Sequence, residues 1–111
     1  MSVNRLTALG QLYPGDFLRS NNHAATATFT ADGNFVLTTT KVVWETATAG
    51  NGGTYITMQK DGNLVIYGPS YKVVWASHTH RKSGEASELR VTNQGQLQII
   101  ENGNITWCQP D

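Results

Sequence analysis

The chain has 111 residues, with eight Lys plus Arg against eight Asp plus Glu and only 14% charged residues. A chain of that length forms one domain and buries roughly two-thirds of the surface its unfolded form exposes. Its sparse, balanced charge excludes the basic field that phosphates or anionic lipids attract, so neither nucleic acid nor membrane insertion is expected.

The first stretch, "MSVNRLTALGQLYPG", lacks the run of about 7 to 15 apolar residues that forms a signal-peptide core. No run approaches the roughly 20 apolar residues that span a bilayer. "LTALGQLYPGDFLRSNN" places turn signals at Gly10 and Pro14-Gly15 between short apolar pairs. It is expected to supply entry strands to the unit that follows.

That unit occurs three times: "ATFTADGNFVLTTTKVVWET" from Ala27, "ITMQKDGNLVIYGPSYKVVWAS" from Ile56 and "LRVTNQGQLQIIENGNITWCQ" from Leu89. The copies align on a turn opened by Asp32, Asp61 or Gln94 and on a closing Trp44, Trp75 or Trp107. With a period of about thirty residues, the repeats span roughly 20–46, 52–77 and 86–109 of a single 1–111 domain. "TATAGNGGT" and "ASHTHRKSGEAS" connect them. Within each copy, β-branched and aromatic residues alternate with polar ones on either side of Asp-Gly or Gln-Gly, a hairpin signal. No window carries a helical apolar stripe, so the fold class is all-β.

The second copy contains "QKDGNLVIY", with Gln59, Asp61, Asn63, Val65 and Tyr67 at a spacing of two. If Asp61-Gly62-Asn63 is a three-residue loop with Asn63 left-handed, Gln59 faces Val65 and Met58 faces Ile66. Alternation puts Ile56, Met58, Leu64 and Ile66 on a core face, and Thr57, Gln59, Val65 and Tyr67 on the other. The second face, with Asp61 and Asn63 at the loop, is a shallow polar shelf with an apolar patch. A carboxylate, two amides and a phenol give and take hydrogen bonds together, as a vicinal pair of sugar hydroxyls requires. Each of these residues is ordinary for a turn or a solvent-side strand; the complete set in a threefold-repeated β domain favours a sugar site.

This pattern resembles the bulb-type mannose-binding lectins of monocot plants and their fish skin-mucus relatives, whose signature is Gln-x-Asp-x-Asn-x-Val-x-Tyr. The resemblance covers nearly the whole chain. It implies a β-prism II fold, three four-stranded sheets with pseudo-threefold symmetry and the tryptophans near the axis. It also implies binding of mannose-containing glycans without a metal or other cofactor. Asp61 and Asn63 would hold the axial 2-hydroxyl, Gln59 the 3-hydroxyl and Tyr67 the 4-hydroxyl, with Val65 as the apolar contact. In the family the C-terminal strand commonly crosses to a partner, so a homodimer through residues near Ile105 to Pro110 is expected. Location is expected to be extracellular, in mucus or at a surface, by a route without a classical signal peptide; the alternative is cytoplasmic.

The other copies depart from the signature. The first has Thr30, Asp32, Asn34, Val36 and Thr38, a weaker second site with shortened reach to the 3- and 4-positions. The third has Thr92, Gln94, Gln96, Gln98 and Ile100, without the carboxylate, and is expected not to bind mannose. The plant relatives carry an internal disulfide that the single Cys108 cannot form; Cys108 reads as a small buried hydrophobe. His78-Thr79-His80, with Arg81 and Lys82 following, lacks the three or four ligands of a metal site and reads as solvated.

No nucleophile elbow, phosphate-cradling loop or paired carboxylates point to catalysis, so the chain is not expected to be an enzyme. The leading function is multivalent, low-affinity glycan recognition in defence or cell recognition. Its alternative is an inhibitory or receptor-blocking protein-interaction module with vestigial sugar sites.

Overall fold

The computed structural model describes residues 3–80 and 87–111. The strands are β1 (Arg5–Thr7), β2 (Gln11–Leu12), β3 (Phe17–Arg19), β4 (Thr26–Phe29), β5 (Phe35–Thr38), β6 (Val42–Glu45), β7 (Tyr55–Met58), β8 (Leu64–Tyr67), β9 (Val73–Ala76), β10 (Ser87–Val91), β11 (Leu97–Glu101) and β12 (Asn104–Gln109). They form three four-stranded antiparallel sheets, ordered β3-β4-β5-β6, β2-β7-β8-β9 and β1-β10-β11-β12.

Alternation decides which side chains are buried. Each hairpin turns one face inward, and Phe29, Phe35, Leu37, Ile56, Met58, Leu64, Ile66, Leu89, Val91, Leu97 and Ile99 make a single core. Trp44, Trp75 and Trp107 meet edge to face, with centroids 5.8, 5.5 and 6.0 Å apart, closing the prism from its three sheets. The strand pairing breaks register between Leu37 and Thr38, Ile66 and Tyr67, and Ile99 and Ile100, one bulge per sheet. In the second sheet that bulge lies beside Tyr67 and sets the direction in which the strand carries it.

Two expectations are corrected. The N-terminal segment does not serve the first repeat alone. Of its three short strands, β3 joins that repeat's sheet through Leu18↔Ala27, β2 joins the second through Leu12↔Ile56, and β1 joins the third through Leu6↔Leu89. Each repeat brings only three strands. Its free edge pairs with whichever N-terminal piece the turns deliver, and Leu12 and Leu18 are buried in the process.

The hairpin register also differs. Gly62, not Asn63, takes the left-handed conformation (φ 89°), and Gly62 N donates to the Gln59 carbonyl at 3.1 Å. The loop is therefore residues 60–62, with glycine where a Cβ would be strained. Gln59 N bonds the Asn63 carbonyl at 2.9 Å, Thr57 faces Val65 and Met58 faces Leu64. The predicted faces survive because the register moved by two residues, and only an odd shift exchanges them. The same glycine-closed loop recurs at Gly33 (φ 91°) and Gly95 (φ 89°).

Candidate functional site

Strands β7 and β8 and their loop bring Gln59, Asp61, Asn63, Val65 and Tyr67 together on the outer face of the second sheet. Asp61 Oδ1 accepts from Asn63 N at 3.0 Å, which folds the carboxylate over the loop and leaves Oδ2 as an outward acceptor. Gln59 Nε2 donates to Tyr67 Oη at 2.6 Å, locking those two side chains side by side. Tyr67 keeps its own hydroxyl proton to give. Val65 is only 2% exposed, so it floors the shelf between Thr57 and Ala76, and the apolar patch is smaller than its position in the strand suggested.

The residues that aim Asn63 lie on the chain that follows Trp75. Asn63 Oδ1 accepts from Ser77 Oγ at 3.1 Å and from Thr79 N at 3.3 Å. Ser77 Oγ also receives Leu64 N at 3.0 Å, and Thr79 Oγ1 donates to the Gly62 carbonyl at 2.6 Å. The two hydroxyls stand 2.7 Å apart. With its oxygen held on the protein side, the Asn63 amide presents its N–H donors outward beside the Asp61 acceptor. One hydroxyl placed there can both give and receive a hydrogen bond.

Ser77 and Thr79 were not singled out from the sequence. The signal for them is a hydroxyl residue two and four places after the tryptophan, Thr46 and Thr48 in the first repeat, Ser77 and Thr79 in the second. The third repeat has Gln109 and Asp111 there instead.

The first repeat has the same brace. Asn34 Oδ1 accepts from Thr46 Oγ1 at 3.0 Å and Thr48 N at 3.2 Å, and Thr48 Oγ1 donates to the Gly33 carbonyl at 2.7 Å. Three of its polar side chains, however, are already engaged. Asn34 Nδ2 donates to Glu45 Oε1 at 2.9 Å, Thr30 Oγ1 donates to Asp32 Oδ1, and Thr38 Oγ1 donates to the Thr26 carbonyl at 3.3 Å. Glu45, which pairs with Val36, occupies the place that Ala76 holds opposite Val65. In the third repeat the amides bond one another: Gln98 Nε2 donates to Gln96 Oε1 at 3.3 Å, and Gln96 Nε2 to the Pro110 carbonyl at 3.4 Å.

Among the described residues no group of three or more His, Cys, Asp or Glu could hold a metal. His78 sits at φ 59° between the two brace hydroxyls, where it turns the chain so that Thr79 reaches back to the loop; Arg81 and Lys82 lie outside the described residues. Cys108 is free and half-buried rather than fully buried, and Gln98 Nε2 lies 3.9 Å from its sulfur. Burial raises the Tyr55 hydroxyl above its ordinary value, and the Tyr71, Tyr67 and Tyr13 hydroxyls around it push the same way.

No protein-family model matches the chain. It is 33% identical over 104 residues to the B-type lectin plumieribetin of Scorpaena plumieri, covering 94% of this chain and 92% of that one. The chain belongs to the bulb-type lectin family. Solved structures agree with that placement. A monomeric monocot mannose-binding lectin from Gastrodia elata superposes with a TM-score of 0.86 at 31% identity, covering 96% of this chain and 95% of that one. The mannose-specific agglutinin from snowdrop (Galanthus nivalis) bulbs, complexed with methyl α-D-mannoside, superposes with a TM-score of 0.81 at 29% identity, with the same two coverages of 96% and 95%. This bulb-type lectin is thus a β-prism II protein, a carbohydrate-binding protein and not an enzyme.

Proposed function

We propose that this lectin binds mannose-terminated glycans, without a metal, through Gln59, Asp61, Asn63, Val65 and Tyr67. The carrying observation is the Ser77–Thr79 brace, which consumes the Asn63 oxygen and leaves its amide donors beside Asp61 Oδ2. An axial 2-hydroxyl docked there satisfies both groups. The glucose epimer leaves them unpaired, and unpaired polar groups are what such a site rejects. Gln59 and Tyr67, already coupled, reach the next hydroxyls of the ring. A single shallow site of this kind corresponds to a millimolar dissociation constant, about 4 kcal/mol.

Useful capture of a cell surface then requires several sites per particle. We assign that role to a homodimer through the C-terminal strand β12, an edge strand carrying the exposed Ile105. Defence or cell recognition outside the cell is the setting such avidity suits.

Titration calorimetry with methyl α-mannoside and methyl α-glucoside tests this reading. Heat with the mannoside alone, unchanged by chelator and lost in Asn63→Ala with the fold intact, is the expected result. No binding at tens of millimolar mannoside would sink it. The internally bonded polar groups of the first and third repeats favour one second reading, a protein-interaction module with vestigial sugar positions. Failure of the mannoside titration, with the prism folded, would leave that reading standing.

A further inference from the structure

The third sheet differs from the other two in its charges. Leu6 pairs with Leu89, Leu12 with Ile56 and Leu18 with Ala27, so the residues just before those leucines are equivalent in the three sheets. On the outer face of the third sheet Arg5 faces Arg90, where the second has Gln11 facing Thr57 and the first Phe17 facing Thr28. At the loop the change runs the other way, because Asp32 and Asp61 are carboxylates and Gln94 is an amide. One repeat has lost an anion and gained two cations.

Like charges directly opposite on neighbouring strands repel, so strand pairing does not account for the two arginines. Glu88 relieves the repulsion in part. Arg90 Nε and Nη2 donate to Glu88 Oε2 at 3.3 and 3.0 Å, which fixes that guanidinium and leaves Nη1 over. Arg5 is exposed, and its side chain has no hydrogen bond or ion pair among the described residues.

Beside the pair opens a cleft of about 320 Å³, lined by Arg5, Arg90, Asn4, Asn21, Asn93 and Gln94, with no carboxylate in its wall. Asn93 is clamped from the first repeat: Asn22 N donates to its Oδ1 at 3.0 Å, and Asn22 Nδ2 to its carbonyl at 3.3 Å. With that oxygen consumed, the Asn93 side chain has N–H donors left to offer. A second cleft, of about 450 Å³, continues from Asn4, Arg5 and Asn21 along β1 to Thr7.

A planar carboxylate is satisfied by one guanidinium fork. Donors that arrive from two strands and a neighbouring loop suit an anion with oxygens on every side. We propose that Arg5 and Arg90, with Asn93, form a site for a tetrahedral oxyanion, a sulfate or phosphate group, and that the cleft along β1 receives the carrier where that group is a monoester. Two arginines hold one such group without making an extended basic field, so the balanced charge of the chain is no obstacle. The site lies on a different sheet from Gln59 and Tyr67 and stands whether or not mannose binds there.

The test titrates the intact chain with sodium sulfate, sodium phosphate, sodium acetate, galactose and galactose 6-sulfate, at constant ionic strength set with sodium chloride, following backbone amide shifts by NMR. Sulfate or phosphate should shift Arg5, Arg90 and Asn93 and saturate at roughly millimolar concentration. Acetate should bind about threefold more weakly or worse. Arg5→Gln, which installs the residue of the second sheet, should weaken oxyanion binding about tenfold or more, the worth of a charge-assisted hydrogen bond. Arg5→Lys keeps the charge without the fork and should recover only part of that loss. Arg5 is exposed, so both variants should fold, which near-ultraviolet circular dichroism of the tryptophans checks. Tighter binding of galactose 6-sulfate than of sulfate, with galactose silent, supports an ester as the ligand; equal or weaker binding supports the free ion. If neither sulfate nor phosphate shifts these amides beyond what chloride does, if acetate matches them, or if binding survives Arg5→Gln or is fully kept by Arg5→Lys, the assignment is overturned.

Discussion

The first and second repeats grip their asparagines alike: Asn34 through Thr46 and Thr48, Asn63 through Ser77 and Thr79, each brace returning to the carbonyl of the loop glycine. They differ in the residue after the tryptophan. Glu45 takes up the amide of Asn34, whereas Ala76 leaves that of Asn63 free to face solvent. A motif of correct residues is therefore not yet a site. Whether it can bind depends on whether its neighbours have already satisfied the donors and acceptors it offers.

The difference can be broken most sharply by Ala76→Glu. The new carboxylate should engage Asn63 as Glu45 engages Asn34. Mannoside affinity should fall more than tenfold in calorimetry, the worth of a charge-assisted hydrogen bond, while the melting temperature holds. Gly62→Ala against Gly33→Ala compares the loops beneath the two asparagines. Both force a left-handed alanine, costing about 1–2 kcal/mol in chemical denaturation. The added Cβ at Gly62 also meets Glu101 Oε2 at 3.0 Å and the Thr79 carbonyl at 3.1 Å, against 3.3 Å to Gly53 N at Gly33, so the second repeat should lose more.

Thr79→Val and Thr48→Val remove equivalent brace hydroxyls. Each should destabilise by about 1 kcal/mol in denaturant titration, but only Thr79→Val should weaken mannoside binding, because only that brace aims a free amide. The smallest effect is expected from Glu45→Ala, which releases Asn34 Nδ2. A second, weaker mannoside site should appear as a rise in stoichiometry. It should strengthen when Thr30→Gln and Thr38→Tyr restore the reach of the signature, and an unchanged stoichiometry in the triple variant would undo the comparison.

Much of this was readable from residues alone. The repeat, its strands and the inward face of each hairpin follow from spacing, because alternation is a property of the strand itself; Met58 and Leu64 were placed correctly although their partners were misassigned. The five signature residues stood together for the same reason. The left-handed position was read one residue late because Asn63 and Gly62 can both adopt it, and the choice fell to the residue without a Cβ. Glu45 and the hydroxyls at Ser77 and Thr79 were overlooked because they act across strands, eleven to seventeen residues from the groups they bond.

Local spacing by itself determined that this chain is an all-β, three-repeat protein with one complete sugar signature, since those properties depend only on which side of the strand a residue occupies. Tertiary structure alone decided that the N-terminal strands would be shared among three sheets, that one asparagine would be free and its counterpart engaged, and that Tyr13 would join the distant Tyr55, Tyr67 and Tyr71. Each depends on edges, polar groups and rings that become neighbours only when the prism closes around its tryptophans.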